Sequence, residues 1–71
     1  MDVKTLKIVR KALGINQARL AREVGVGLTF ISQLEAGYKD IPPGRKQLLR
    51  EALPVTDEEI AMLIDIHDRL N

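Results

Sequence analysis

The chain has 71 residues, of which 45% are hydrophobic and 30% charged, and it contains no cysteine and one histidine. This length allows one domain with a thin core, because so short a chain buries only about 60% of the surface that its unfolded form exposes. The lack of cysteine excludes disulfides and thiolate chemistry and suits a cytoplasmic protein. The longest apolar run, residues 60–64, cannot span a bilayer, and the N-terminus is not a secretory signal. We therefore expect a single cytoplasmic domain, residues 1–71, without a membrane segment.

The formal net charge of +1 hides an uneven distribution along the chain. Residues 1–50 contain ten lysines and arginines against four carboxylates, a net charge of +6. Residues 51–71 contain one arginine against six carboxylates, a net charge of −5. Such an asymmetry indicates that one end of the molecule meets an anionic polymer and the other does not. The alternative is a chance scatter of charge over a small domain.

The hydrophobic periodicity predicts an all-α chain of five helices without a strand. The first helix follows Asp2, an N-cap candidate, and its solvent-exposed face carries Lys4, Lys7 and Lys11. Arg10 falls on the stripe that this helix turns inward, so its charge needs a partner. The predicted helices cover residues 3–13, 17–24, 28–36, 45–53 and 57–70.

The second and third helices have the pattern of a helix-turn-helix. Asn16 is an N-cap candidate for the second helix, and Gly25 ends it just after its apolar face. The third helix starts near Gly27 and has an apolar stripe formed by Ile31 and Leu34. Two short helices joined by a turn of three to four residues with a glycine form the unit that places its second helix in the DNA major groove.

Two prolines precede the fourth helix. Pro42 is restricted by its own ring, and Pro43 disfavours helical geometry at Pro42, so both are expected in a loop. We expect Gly44 to cap the fourth helix. Its inward residues should be Leu48, Leu49 and Ala52.

The fifth helix opens with a capping box at residues 56–59 and has more apolar residues than one face can hold. One stripe suits the core and comprises Ile60, Leu63, Ile64 and His67. A second stripe comprises Met62, Ile66 and Leu70. The second stripe suggests a partner, most simply another copy of the chain, and the alternative is a helix buried over a wide arc. His67 is interpreted as a packing or surface histidine, because no second metal ligand accompanies it.

Residues 3–53 resemble the helix-turn-helix domain of phage repressors and Cro proteins and of their bacterial relatives, the xenobiotic-response-element-like regulators. The segments that carry the resemblance are Leu13-Gly14-Ile15-Asn16-Gln17, Leu20-Ala21, Val24-Gly25-Val26, Ile31-Ser32-Gln33-Leu34-Glu35 and Gly37. It implies a compact five-helix domain of the lambda-repressor-like DNA-binding type. It also implies that Arg10 and Glu35 form a structural ion pair between the first and third helices.

Four side chains of the third helix are candidates for reading bases: Leu28, Thr29, Ser32 and Gln33. The Gln33 amide can bond adenine through two hydrogen bonds, and the hydroxyls of Thr29 and Ser32 can bond several base edges. Leu28 can offer only apolar contact, for instance to a thymine methyl group. The alternative for these side chains is an ordinary solvated surface.

Four other residues are candidates for the DNA backbone: Gln17, Lys39, Arg45 and Lys46. Gln17 opens the second helix, where free N–H groups and the helix dipole favour a phosphate, and the resemblance implies a backbone contact there. The three cations follow the third helix and are phosphate contacts in this interpretation. The alternative for them is a solvated face.

We expect a sequence-specific, double-stranded DNA-binding transcriptional regulator, most simply a repressor, of bacterial or phage origin and acting as a homodimer. A DNA-binding antitoxin would show the same pattern. The other alternative is a protein-interaction module that kept the fold, which Gly27, Leu28 and Asp40 favour because relatives usually carry polar or basic residues there. A protein partner could then bind the fifth helix. We expect no enzyme, cofactor or metal, because the chain lacks a phosphate loop and convergent carboxylates.

Overall fold

The computed structural model describes all 71 residues and contains five α-helices and no strand. The helices are α1 (Val3–Ala12), α2 (Gln17–Val24), α3 (Leu28–Glu35), α4 (Pro43–Glu51) and α5 (Asp57–Leu70). The predicted all-α fold class with five helices is confirmed. None of the helices is both long and apolar enough to cross a membrane.

Side chains cap three of the helices. The Asp2 carboxylate accepts a hydrogen bond from the Thr5 N–H at 2.8 Å, and this bond lowers the pKa of Asp2. The Asn16 side chain accepts from the Arg19 N–H, also at 2.8 Å. At the start of α5, Thr56 and Glu59 each accept from the other's backbone N–H, which completes the capping box. These bonds satisfy N–H groups that the helices themselves leave free.

A turn of residues 25–27 joins α2 to α3. Gly25 has φ of 70°, the left-handed conformation that glycine adopts without steric cost. The next N–H, of Val26, donates back to the Ala21 carbonyl at 3.0 Å and so closes the end of α2. Gly27 is the N-cap of α3 and offers no side-chain hydrogen bond. The backbone therefore directs the chain into α3 without help from a capping side chain.

The structure corrects two predictions for α4. The helix begins at Pro43, with Pro42 as N-cap, and not at Arg45 after a Gly44 cap. Proline suits the first helical position, because its missing N–H would have no partner there. Leu48 is 44% exposed, so the prediction that it is buried was wrong. It lies about 100° around the helix from the buried Leu49 and so falls at the edge of the inward face.

The core lies among α1–α4 and the loops that join them. The buried hydrophobic residues are Leu6, Val9, Ile15, Leu20, Ala21, Val24, Ile31, Leu34, Ile41, Leu49 and Leu53. Helix α5 contributes no fully buried residue, although Ile60 and Leu63 pack against the core. The helix-turn-helix is thus anchored on the main core, and α5 covers one side of it.

Arg50 connects α4 to α5. Its Nη2 donates to the Val55 carbonyl at 2.8 Å and to the Asp57 carboxylate at 2.9 Å. A longer bond of 3.4 Å from Nη1 reaches the Leu53 carbonyl. One side chain therefore holds the end of α4, the connecting turn and the first residue of α5 together.

Candidate nucleic-acid interface

Helix α3 presents the four predicted base readers away from the core. Its apolar residues Ile31 and Leu34 are completely buried. Leu28 is 50% exposed, and Thr29 is exposed beside it at the start of the helix. Ser32 and Gln33 are half-buried on the following turn. The outer side of α3 is consequently open at Leu28 and Thr29 and partly open at Ser32 and Gln33, while its inner side anchors the helix.

A buried ion pair fixes α3 against α1. Arg10 donates from Nε to Glu35 Oε2 and from Nη2 to Glu35 Oε1, both at 2.7 Å. Its Nη1 donates to the Ile15 carbonyl, also at 2.7 Å. The two side chains are only 8% and 2% exposed. Such a two-point contact fixes the relative orientation of the helices as well as their distance.

Gln17 extends this contact to the start of α2. Its Nε2 donates to Glu35 Oε1, and its Oε1 accepts from the Ser32 hydroxyl, both at 3.0 Å. No buried side-chain polar atom of the chain lacks a partner. Arg10, Glu35, Gln17 and Ser32 therefore form one polar network, which joins α1, α2 and α3 behind the exposed residues of α3.

Glu35 is ionised within this network. Burial alone would raise the pKa of its carboxyl group, but the hydrogen bonds from Arg10 and Gln17 and the Arg10 charge outweigh burial. The pKa of Glu35 therefore lies below its ordinary value. A stable negative charge on Glu35 keeps Arg10 paired, so that Nε and Nη2 of Arg10 both keep their acceptor.

The contact between Gln17 and Ser32 was not anticipated from the sequence. We expected Gln17 at a phosphate and Ser32 at the bases, and here their side chains bond each other. No periodicity links a residue at the start of one helix to one on the second turn of the next. Gln17 keeps a second amide hydrogen, and the Ser32 oxygen can still accept, so both retain capacity for a ligand.

The predicted phosphate-binding cations occupy different places. Lys39 lies close to α3, with its Nζ 5.6 Å from the centre of the Phe30 ring. Arg45 is exposed in the first turns of α4. Lys46 borders a hollow with Met1 and Asp2 at the start of α1. The structure thus places Lys39 beside a residue of α3 and Lys46 beside the start of α1.

The second apolar stripe of α5 is uncovered. Met62, Ile66 and Leu70 are 62%, 50% and 80% exposed. The other stripe, including Ile60 and Leu63, is half-buried as the periodicity predicts.

The family comparison agrees with this geometry. A family model described as helix-turn-helix matches residues 6–60, well over half of the chain. The match runs from α1 through the α2–α3 unit and ends in the first turn of α5. No curated protein and no solved structure matches the chain. The chain belongs to the helix-turn-helix family, of the phage repressor and Cro type, whose members are DNA-binding regulators.

Proposed function

We propose that the protein is a sequence-specific transcriptional repressor that inserts α3 into the major groove of double-stranded DNA. The observation that carries this proposal is the outer side of α3, which the buried Arg10–Glu35 pair and Gln17 hold from behind. A helix whose outer side chains are free while its other side is fixed to the domain can present them to base edges in one orientation.

Gln33 is the main reader in this proposal. Its side chain makes no hydrogen bond within the chain, while the nearby Ser32 hydroxyl bonds Gln17. A free amide can donate to adenine N7 and accept from adenine N6, which discriminates against other bases. Leu28 and Thr29 lie one turn nearer the N-terminus. Leu28 adds an apolar contact to a thymine methyl group, and the Thr29 hydroxyl adds a hydrogen bond to a base edge.

Gln17 has a double role in this proposal. The N–H groups at the start of α2 and the remaining amide hydrogen of Gln17 bind a DNA phosphate. The same side chain bonds Glu35 and Ser32, so the phosphate contact positions α3. Lys39 and Arg45 add cationic contacts to the DNA backbone near α3. Lys46 adds only the long-range attraction of its charge for DNA.

The repressor acts as a dimer in this proposal, because proteins of this kind read two half-sites about one helical turn apart. The exposed stripe of Met62, Ile66 and Leu70 is the interface. Ile66→Asp should leave the chain helical by circular dichroism and abolish cooperative occupancy of a duplex with two half-sites. Leu48→Asp is the matched control, because it adds the same charge at an exposed leucine on α4. Unfolding of the Ile66 variant, or unchanged cooperativity, would contradict this interface.

The function is tested by selecting bound sequences from random duplexes and titrating the selected site. Gln33→Ala should weaken binding there by ~1–3 kcal/mol and leave binding to unrelated duplexes unchanged. Gln47→Ala is the control, because Gln47 lies on α4 and bonds only Glu51. Equal losses on both duplexes would remove Gln33 from the readers. The absence of any duplex binding would favour a protein-interaction module, for which Gly27 and the exposed Leu28 are the supporting features.

A further inference from the structure

A groove lined by basic and apolar residues lies between α1 and α5. It has a volume of about 550 Å³, and Lys4, Lys7 and Lys11 line it from α1. The other lining residues are Ile8, Ala12, Leu63, Ile66 and His67. No carboxylate lines the groove, and it shares no residue with the side chains proposed to bind DNA.

The three lysines repel one another and have no ionic partner within the chain. Arginines make all four salt bridges, and the Lys7 charge reaches Glu35 only through space. Lys7 is three residues from Lys4 and four from Lys11, and like charges at these spacings on a helix repel. Helix α1 contains no carboxylate, and its dipole disfavours a cation in the first turn, where Lys4 lies. An anion bound between neighbouring lysines would relieve this repulsion.

The apolar part of the groove continues into a second hollow of about 180 Å³. Leu63 and Ile66 line both spaces. The second hollow is completed by Leu13, Val55, Glu59 and Met62. Glu59 is its one charged residue, and the carboxylate accepts a hydrogen bond from the Thr56 N–H at 2.9 Å. The positive charges therefore line the first space only, and the second space is apolar apart from one carboxylate.

This distribution of charge suits a ligand that is anionic at one end and apolar at the other. We propose that the groove binds an amphipathic carboxylate. Its carboxylate group lies between neighbouring lysines of α1, and its hydrocarbon part crosses Leu63 and Ile66 into the second hollow. A volume of this size is typical of sites for small molecules, which combine an apolar lining with a few polar groups. A DNA backbone would satisfy the lysines but has no apolar part to cover Leu63 and Ile66.

The test uses sodium decanoate as the probe, below the concentration at which it forms micelles. The full chain, isotope-labelled for NMR, is kept at low concentration, because the proposed dimer would also cover Ile66. Decanoate should bind saturably and shift the amide signals of α1 and α5. Acetate, which lacks the hydrocarbon chain, should not bind at the same concentration. Decyltrimethylammonium, which has the same chain with the opposite charge, should bind at least ~10-fold more weakly.

Variants of the lysines test the ionic contact. Lys7→Gln and Lys11→Gln should each weaken the binding of decanoate by ~3- to 5-fold, as expected for the loss of an exposed ion pair. Arg22→Gln is the matched control, because it removes the same charge from an exposed residue of α2 and should leave binding unchanged. Isothermal titration calorimetry measures affinity, and circular dichroism confirms that each chain is helical. If Lys7→Gln alters the fold, the exposed Lys11 decides the outcome.

The outcomes separate this inference from other occupants of the groove. Absence of saturable binding, equal binding of decyltrimethylammonium, or parental affinity in both lysine variants would overturn it. If decanoate does not bind and the amide signals of the groove shift with protein concentration, with an oligoglutamate peptide or with a DNA duplex, the occupant is a second copy, an acidic protein or DNA. A chain that binds decanoate as expected but binds no duplex keeps the groove site and loses the proposed function.

Discussion

Helices α1–α4 and helix α5 are built in different ways. Every one of the buried hydrophobic residues lies between Leu6 and Leu53, whereas α5 has none that is fully buried. The first region also contains the buried Arg10–Glu35 pair, and α5 carries only exposed ion pairs. The domain therefore places its stability and the helix-turn-helix in one region. It leaves the second region with an apolar surface available to a partner.

The largest expected effect is the removal of the buried carboxylate. Glu35→Ala would leave Arg10 buried without its partner, and breaking a buried pair in this way costs ~3–5 kcal/mol. This approaches the whole stability expected of so small a domain. The melting temperature of Glu23→Ala provides the control, because the Glu23–Arg19 pair is exposed. A parental melting temperature for Glu35→Ala would contradict the structural role of the network.

The second prediction compares the same truncation of the side chain in the two regions. Leu20 is fully buried, and Leu20→Ala should lower the free energy of unfolding by ~2–5 kcal/mol. Ile66 is 50% exposed, so Ile66→Ala should cost about 1 kcal/mol or less. Urea unfolding should be measured at low protein concentration, because a dimer would stabilise the parent at high concentration. Equal losses would show that α5 belongs to the main core.

The third prediction concerns how α5 begins. Thr56→Ala removes the acceptor of the capping box and should destabilise the protein by ~1 kcal/mol. Thr29→Ala changes an exposed threonine that caps no helix, so its effect on unfolding should stay within about 0.5 kcal/mol. Thermal unfolding of both variants gives the comparison. A larger loss for Thr29→Ala would show that packing at the start of α3 matters more than the cap of α5.

The smallest expected effect concerns pH. The stability that Glu35 contributes should decrease in acid and stay constant near neutral pH. The pKa of Glu35 lies below its ordinary value of 4.5, so the unfolded chain takes up a proton more readily than the folded one. The stability that Glu35 contributes is therefore complete above pH 4.5 and is lost as the pH falls through the lower, folded-state pKa. Urea midpoints between about pH 6 and pH 3 should fall more steeply for the parent than for Glu35→Gln. Parallel curves would contradict the lowered pKa.

Local signals in the sequence were enough to predict the helices and most of their ends. Asn16, Gly25 and the capping box at Thr56 act within a few residues, and the structure has each of them in the expected place. The start of α4 was mispredicted because Pro43 can either break a helix or open one, and neighbouring residues do not decide between the two. Leu48 was mispredicted because a helix near the edge of a core can expose a leucine that its periodicity would bury.

The candidate site was predictable in its residue types but not in its connections. The resemblance indicated that Arg10 and Glu35 pair, and the structure shows the two bonds between them. The Ser32–Gln17 bond joins residues 15 positions apart, and only the packing of α2 on α3 brings them together. The place of Lys46 beside Met1 and Asp2 likewise depends on the path of the loop after Tyr38 and not on composition.

The internal ion pairs determine how many cations can exchange counterions with DNA. Of the ten lysines and arginines in residues 1–50, Arg10, Arg19 and Arg50 are bound to carboxylates of the same chain. Lys4, Lys7 and Lys11 line a groove between α1 and α5. The remaining cations are Arg22, Lys39, Arg45 and Lys46. Each neutralised phosphate adds ~0.9 to the slope of log affinity against log salt, so one subunit should show a slope no steeper than about −3.6, which is shallower than the net charge of +6 of residues 1–50 suggests.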